Sequence, residues 1–174
     1  MTIFKTKRLQ VRRLIMEDFK AFNKMQSNKN VMKYVRGRPM TYEENKEELP
    51  KLIDVYDKEG NDFYIYAITR SEDGVFIGTV ALVKDEHNKD EIGYRFLEEY
   101  WGSGYGTEVL SGLIAYCKSI KIKNIIAVVA TENIASLKMI KNVGFQFIEK
   151  FVSDDLKIPE QRYVLSLLKL QCKK

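Results

Sequence analysis

Apolar and polar side chains alternate through Leu9-Gln10-Val11-Arg12-Arg13-Leu14, which predicts a half-buried strand. Phe19, Phe22 and Met25 then fall on one face at helical spacing behind Glu17 and Asp18, whose carboxylates suit the positive end of a helix. Thr41-Tyr42-Glu43-Glu44 has the spacing of a capping box and predicts a second helix, with Pro50 as a candidate kink before Gly60. Between these helices, Asn28 to Met40 is expected to be a loop.

The period then changes from helical to extended. Phe63 to Thr69 and Val75 to Val83 are β-branched and aromatic runs joined through Asp73-Gly74, the signature of an antiparallel hairpin. Glu91 to Leu97 offers a further strand. Val109, Leu110, Leu113, Ile114 and Cys117 form the stripe of an amphipathic helix, and Ile125 to Ala130 is a continuous apolar run expected at the centre of a sheet. Asn133 is placed to cap a helix that carries Leu137, Ile140 and Val143 and stops at Gly144. Phe145 to Val152 and Arg162 to Leu170 complete the strands, so the chain reads as one layered α+β domain over residues 1–174.

Composition narrows the classes. With 174 residues, 45% of them hydrophobic, the chain encloses one sizeable core and is a folded protein. Its beginning lacks an apolar signal region and no long apolar run occurs, so export and membrane insertion are not expected. Two cysteines suggest neither a disulfide framework nor a zinc site, and reduced thiols in a cytoplasm fit. Cys117 shares an apolar stripe and reads as core, while His87 reads as a surface residue. The net charge of +5 favours an acidic ligand. The basic segments Lys118 to Lys123 and Lys169 to Lys174 are read as solvated faces over RNA patches.

The most informative residues are Tyr100-Trp101-Gly102-Ser103-Gly104-Tyr105-Gly106-Thr107, between a strand and an amphipathic helix. Three glycines let main-chain N–H groups converge, and the helix adds its positive end, so an anion such as a pyrophosphate is the natural occupant; glycines present for steric reasons alone are the other reading. The absence of G-K-[ST] excludes a P-loop, and the glycine spacing excludes the dinucleotide fingerprint.

Glu91-Ile92-Gly93-Tyr94 through Trp101 to Glu108 resembles the acetyl-CoA motif of the GNAT superfamily, and Asn133-Ile134-Ala135-Ser136 with Gly144-Phe145 is similar to its second block. With Lys5-Thr6-Lys7-Arg8-Leu9 and Ile77-Gly78-Thr79, the similarity extends over most of the chain and points to the RimJ/RimL-type branch of ribosomal-protein N-terminal acetyltransferases. Trp101 departs from the usual Gln or Arg of the superfamily, as it often does in this branch, and reads as a packing residue.

The resemblance implies a mixed, mostly antiparallel sheet of six to seven strands with about four helices on both faces, the fourth and fifth strands splayed for acetyl-CoA. It implies cofactor contacts at Phe96, Leu97, Gly102, Ser103, Gly104, Tyr105, Gly106, Thr107, Asn133 and Ser136, and acceptor contacts at Tyr34, Arg36 and Tyr94. Glu91 is the candidate general base, with an exposed strand carboxylate as the alternative and Asp154 and Asp155 in reserve. Ser136 is the candidate acid for the thiolate, because the tyrosine many relatives carry one turn later is Ile140 here; a backbone-bonding serine is the alternative. Asn133 is expected to bond pantetheine, cap the helix, or both.

The implied activity is direct acetyl transfer from acetyl-CoA to a primary amine, either a small molecule or a protein N-terminus, with no metal. Nucleic acid is expected only by way of the ribosome, and a homodimer is left open. A non-catalytic CoA-binding module is the other function class that the same motifs allow.

Overall fold

In the computed structural model, which describes residues 1–168, the chain begins with a hairpin of β1 (Thr2–Lys5) and β2 (Leu9–Arg13). Three helices follow, α1 (Phe19–Gln26), α2 (Lys29–Met32) and α3 (Tyr42–Asp54). Thr41 accepts from the Glu44 N–H at 3.2 Å and its own N–H donates to Glu44 at 2.8 Å, which forms the expected capping box. Helix α3 runs through Pro50 to Asp54.

The strands β3 (Phe63–Arg70), β4 (Phe76–Lys84) and β5 (Asp90–Phe96) lead through a glycine turn to α4 (Tyr105–Ser119). Then come β6 (Asn124–Ala130), α5 (Ile134–Asn142), β7 (Gln146–Val152) and β8 (Pro159–Ser166). The eight strands lie in the order β1-β2-β3-β4-β5-β6-β8-β7, and β5 with β6 is the one parallel pair among the described residues.

The sheet thus has eight strands with five α-helices, against the expected six to seven and about four. Strand β1 escaped notice because Ile3 and Phe4 are adjacent and show no alternation, and α2 is a single turn, too short for a period. The final strand ends at Ser166, so the expected extension to Leu170, the basic tail Lys169 to Lys174 and Cys172 fall partly or wholly outside the described residues.

Consecutive residues of β5 show how the helices are divided. Tyr94 reaches Ser136 on α5, and Arg95 reaches Gln26 of α1 and Met32 of α2, so α5 and α1 cover opposite faces of the sheet. One contiguous core runs through both layers, from Leu9 and Val11 through Ile77, Leu110 and Leu113 to Ile140 and Tyr163. Cys117 lies in it, and burial raises its thiol pKa to about 12, so it is inert packing rather than a nucleophile.

Candidate active site

The site begins where the sheet comes apart. Strands β5 and β6 share a single register pair, Glu91 with Ile126. Leu97 donates its N–H to the Ile77 carbonyl at 2.9 Å, which places the main-chain groups of Leu97, Arg95, Gly93 and Glu91 toward β4. The alternating residues Ile92, Tyr94 and Phe96 therefore turn theirs toward β6. Beyond Ile92 no further register pair with β6 occurs among the described residues. Trp101 closes part of this edge, its indole N–H donating to the Phe96 carbonyl at 3.0 Å. The Tyr94 groups and the Phe96 N–H remain available to an extended ligand.

Leu97 differs from its neighbours in the strand: its N–H is on Ile77, its carbonyl accepts from the Tyr100 N–H at 3.0 Å and its side chain is buried, whereas Tyr94 and Phe96 face the open edge.

At the end of β5 the glycine turn carries out the local task its sequence suggests. Gly102 and Gly104 adopt φ of 74° and 78°, which residues with a Cβ rarely do. Gly106 has a different reason to lack a side chain: a Cβ there would stand 2.3 Å from Met139 Sδ, so its absence lets α4 and α5 approach. The first N–H in this segment with a main-chain acceptor is that of Glu108, on Gly104 at 3.2 Å. From Gly102 to Thr107, six successive N–H groups have no acceptor among the described residues. Such a nest fits a diphosphate.

Across the opening, Asn133 accepts from the Ser136 N–H at 3.2 Å and caps α5, which directs the Ser136 hydroxyl to Tyr94 Oη at 2.7 Å. Burial pushes the Tyr94 phenol up, more than the Ser136 bond lowers it. Tyr94 therefore belongs to the face of α5, opposite the face on which an acceptor was expected to meet it.

Glu91 lies on that other face, together with Gly93 and Arg95. Burial raises its carboxyl to about 7, assisted by Asp85 and Glu160 and opposed by Arg162. A carboxyl that titrates near neutrality is matched to taking a proton from an amine. The slot above Gly93 is open, since a Cβ there would meet only Ala81 at 3.7 Å. Arg95 borders it. Its Nη1 is held by Gln26 and by Met32 Sδ at 3.8 Å, while its Nε and Nη2 have no acceptor among the described residues. Sequence reading passed over Arg95, although its position four residues from Glu91 in one strand fixes both on the same face.

The loop residues fare differently. Tyr34 sits beneath Lys33, whose ammonium is 4.7 Å from the ring centre and 3.6 Å from Glu132, so α2 is tied to the turn before Asn133. Arg36 pairs with Glu48 of α3 at 2.7 Å, and Glu48 also accepts from Gln26, the residue that holds Arg95, so the pair adjoins the Arg95 side chain. Asp154 and Asp155 are exposed in the turn between β7 and β8, and His87 is exposed in the loop before β5. Among the described residues no group of three or more His, Cys, Asp or Glu could hold a metal, and no helix is long and apolar enough to cross a membrane.

Comparisons with known proteins bear on the fold and the family. A family model described as an acetyltransferase (GNAT) domain matches residues 8–146. The uncharacterized N-acetyltransferase p20 of Bacillus licheniformis is 30% identical over 144 residues, covering 81% of this chain and 80% of that protein. Among solved structures, a GNAT-family acetyltransferase from Bacillus anthracis superposes with a TM-score of 0.83 at 22% identity, covering 96% of this chain and 99% of that one. RimL, a ribosomal L7/L12 alpha-N-protein acetyltransferase in complex with coenzyme A, gives 0.80 at 15% identity, covering 95% and 98%.

Proposed function

The chain belongs to the GNAT acetyltransferase family, and on that footing we propose that it transfers the acetyl group of acetyl-CoA to a primary amine by direct attack within a ternary complex. The observation that carries the reading is the coincidence of two unsatisfied main-chain surfaces: the free edge of β5 at Tyr94 and Phe96, and the six N–H groups of residues 102–107. The first matches an amide-bearing pantetheine arm and the second a diphosphate. Acetyl-CoA supplies the activated acyl group.

The remaining chemistry falls to side chains on the two faces. Glu91, on the face of α1 and α2, takes a proton from the incoming ammonium or amine, directly or through water, so that the nitrogen lone pair is free to attack. As the C–N bond forms and the C–S bond breaks, the Tyr94 and Ser136 pair on the α5 face supplies a proton to the departing sulfur. Arg95 and the slot over Gly93 orient the acceptor, with free guanidinium donors for its carbonyl or carboxylate oxygens. A protein N-terminus or an amino acid carries such oxygens beside its amine. The spatial likeness to RimL supports the former.

The test is thiol release from acetyl-CoA with a panel of peptide N-termini, amino acids and polyamines, alongside Glu91→Gln. Amine-dependent release that this substitution suppresses is the expected result. Tight acetyl-CoA binding without acceleration by any amine would mean a CoA-binding module instead.

A further inference from the structure

The nest at residues 102–107 contains no Lys or Arg, so two phosphate charges would be met there by N–H dipoles alone. A cation is nevertheless present, brought from the other end of the chain. Arg8, in the β1–β2 turn, donates from Nη1 to the Ser103 carbonyl at 3.0 Å, and its guanidinium lies 4.5 Å from the centre of the Tyr105 ring. Its Nη2 would be 3.4 Å from a Cβ on Gly104 and has no acceptor among the described residues.

Glu108, in the first turn of α4, fixes this guanidinium. Its Oε2 accepts from Arg8 Nε at 2.7 Å, and its Oε1 accepts from the Arg8 N–H at 2.7 Å and the Thr6 hydroxyl at 2.6 Å. These bonds outweigh the effect of burial and hold the Glu108 carboxyl below its usual range. A carboxylate beside a phosphate nest would repel the ligand, and Arg8 neutralises it while keeping one edge of its own fork free.

We propose that Arg8 is the cationic ligand of the cofactor diphosphate, donating from Nη2 beside the N–H groups of residues 103–105, and that Glu108 is the positioning residue that aims it. The assignment rests on the acetyl-CoA reading above. It deepens that reading by adding a side chain, remote in sequence, to a site otherwise built of backbone.

Calorimetric titration of CoA and of dephospho-CoA, which keeps the diphosphate but lacks the 3′-phosphate, tests it. Arg8→Gln is expected to weaken both ligands by about 10–100-fold, the range of a charge-assisted hydrogen bond. Arg8→Lys keeps the charge without the fork and falls between. Glu108→Gln loses affinity too, but adds little once Arg8 is already Gln, because it acts through Arg8. Thermal melts of each variant, read together with Arg8→Lys, separate lost binding from lost fold. An Arg8→Gln protein that binds CoA within threefold of wild type overturns the proposal, as does a loss confined to CoA with dephospho-CoA unaffected. Fully additive losses from Arg8→Gln and Glu108→Gln overturn the positioning role. If wild type binds neither ligand, the cofactor reading itself falls, and this assignment with it.

Discussion

The hydroxyls of Tyr94 and Ser136 meet at 2.7 Å and join a strand to a helix across the gap in the sheet. Residue 140, one turn after Ser136, is an isoleucine, and the phenol of Tyr94 reaches the helix from the strand. Because burial keeps that phenol protonated at neutral pH, the pair is a proton reservoir beside the expected sulfur position. Tyr94→Phe and Ser136→Ala should each lower kcat by about 10–100-fold, with little change in the acetyl-CoA dissociation constant. Steady-state kinetics of the double variant should show a loss close to that of the worse single one, since the two hydroxyls act as one unit.

Glu91 should set the acidic limb of the pH–rate profile. With its pKa near 7, kcat/KM is expected to rise with pH through neutrality and level off once the carboxylate is charged. Glu91→Gln should reduce the rate by about 10²–10⁴-fold and remove that limb. An unchanged limb in the variant would assign the base to another group.

The same residue links function to stability. Its folded-state pKa lies above its ordinary 4.5, so the folded chain holds the proton more tightly than the unfolded one. The stabilisation from this proton is complete below about pH 4.5 and is lost as pH rises toward 7. At pH 8 the buried charge costs about 1–3 kcal/mol. Thermal melts should therefore show Glu91→Gln more stable than wild type at pH 8, with the gain disappearing near pH 4.5.

Much of this was legible in the chain's own patterns, and the failures have physical causes. Strands β3, β4 and β6 showed as β-branched and apolar runs because they are buried nearly throughout, α3 showed through its capping box, and α4 and α5 through apolar stripes at helical spacing. Gly102 and Gly104 declared a backbone conformation. By contrast, the open edge at Tyr94 and Phe96 was not legible, because which edge a main-chain group faces depends on pairing register, which a sequence does not display. Arg36 looked available until its partner Glu48, twelve residues away, came into range. Arg95 and Arg8 were overlooked for the same reason: a basic residue announces no role until its neighbours are known.

Arg95→Met preserves the buried stem and removes the donors that border the slot. The KM for an acceptor bearing a carbonyl or carboxylate oxygen should rise about tenfold, while that for a simple alkylamine stays within twofold. The acetyl-CoA dissociation constant should not move. An equal rise for both acceptors would show that Arg95 supports the pocket wall instead.

Gly106→Val should push Met139 aside and separate α4 from α5, because its Cβ would overlap the sulfur. A loss of about 1–3 kcal/mol in denaturant unfolding is expected, partly restored by adding Met139→Ala.

Among the described residues the two antiparallel blocks, β1 to β5 and β6-β8-β7, share one register pair, and it falls at Glu91. A pantetheine arm seated in that gap would act as mortar between two masonry leaves, with the Glu91 carboxyl at their common footing. Occupancy should stiffen the seam, with amide exchange at Tyr94 and Phe96 slowing when CoA binds.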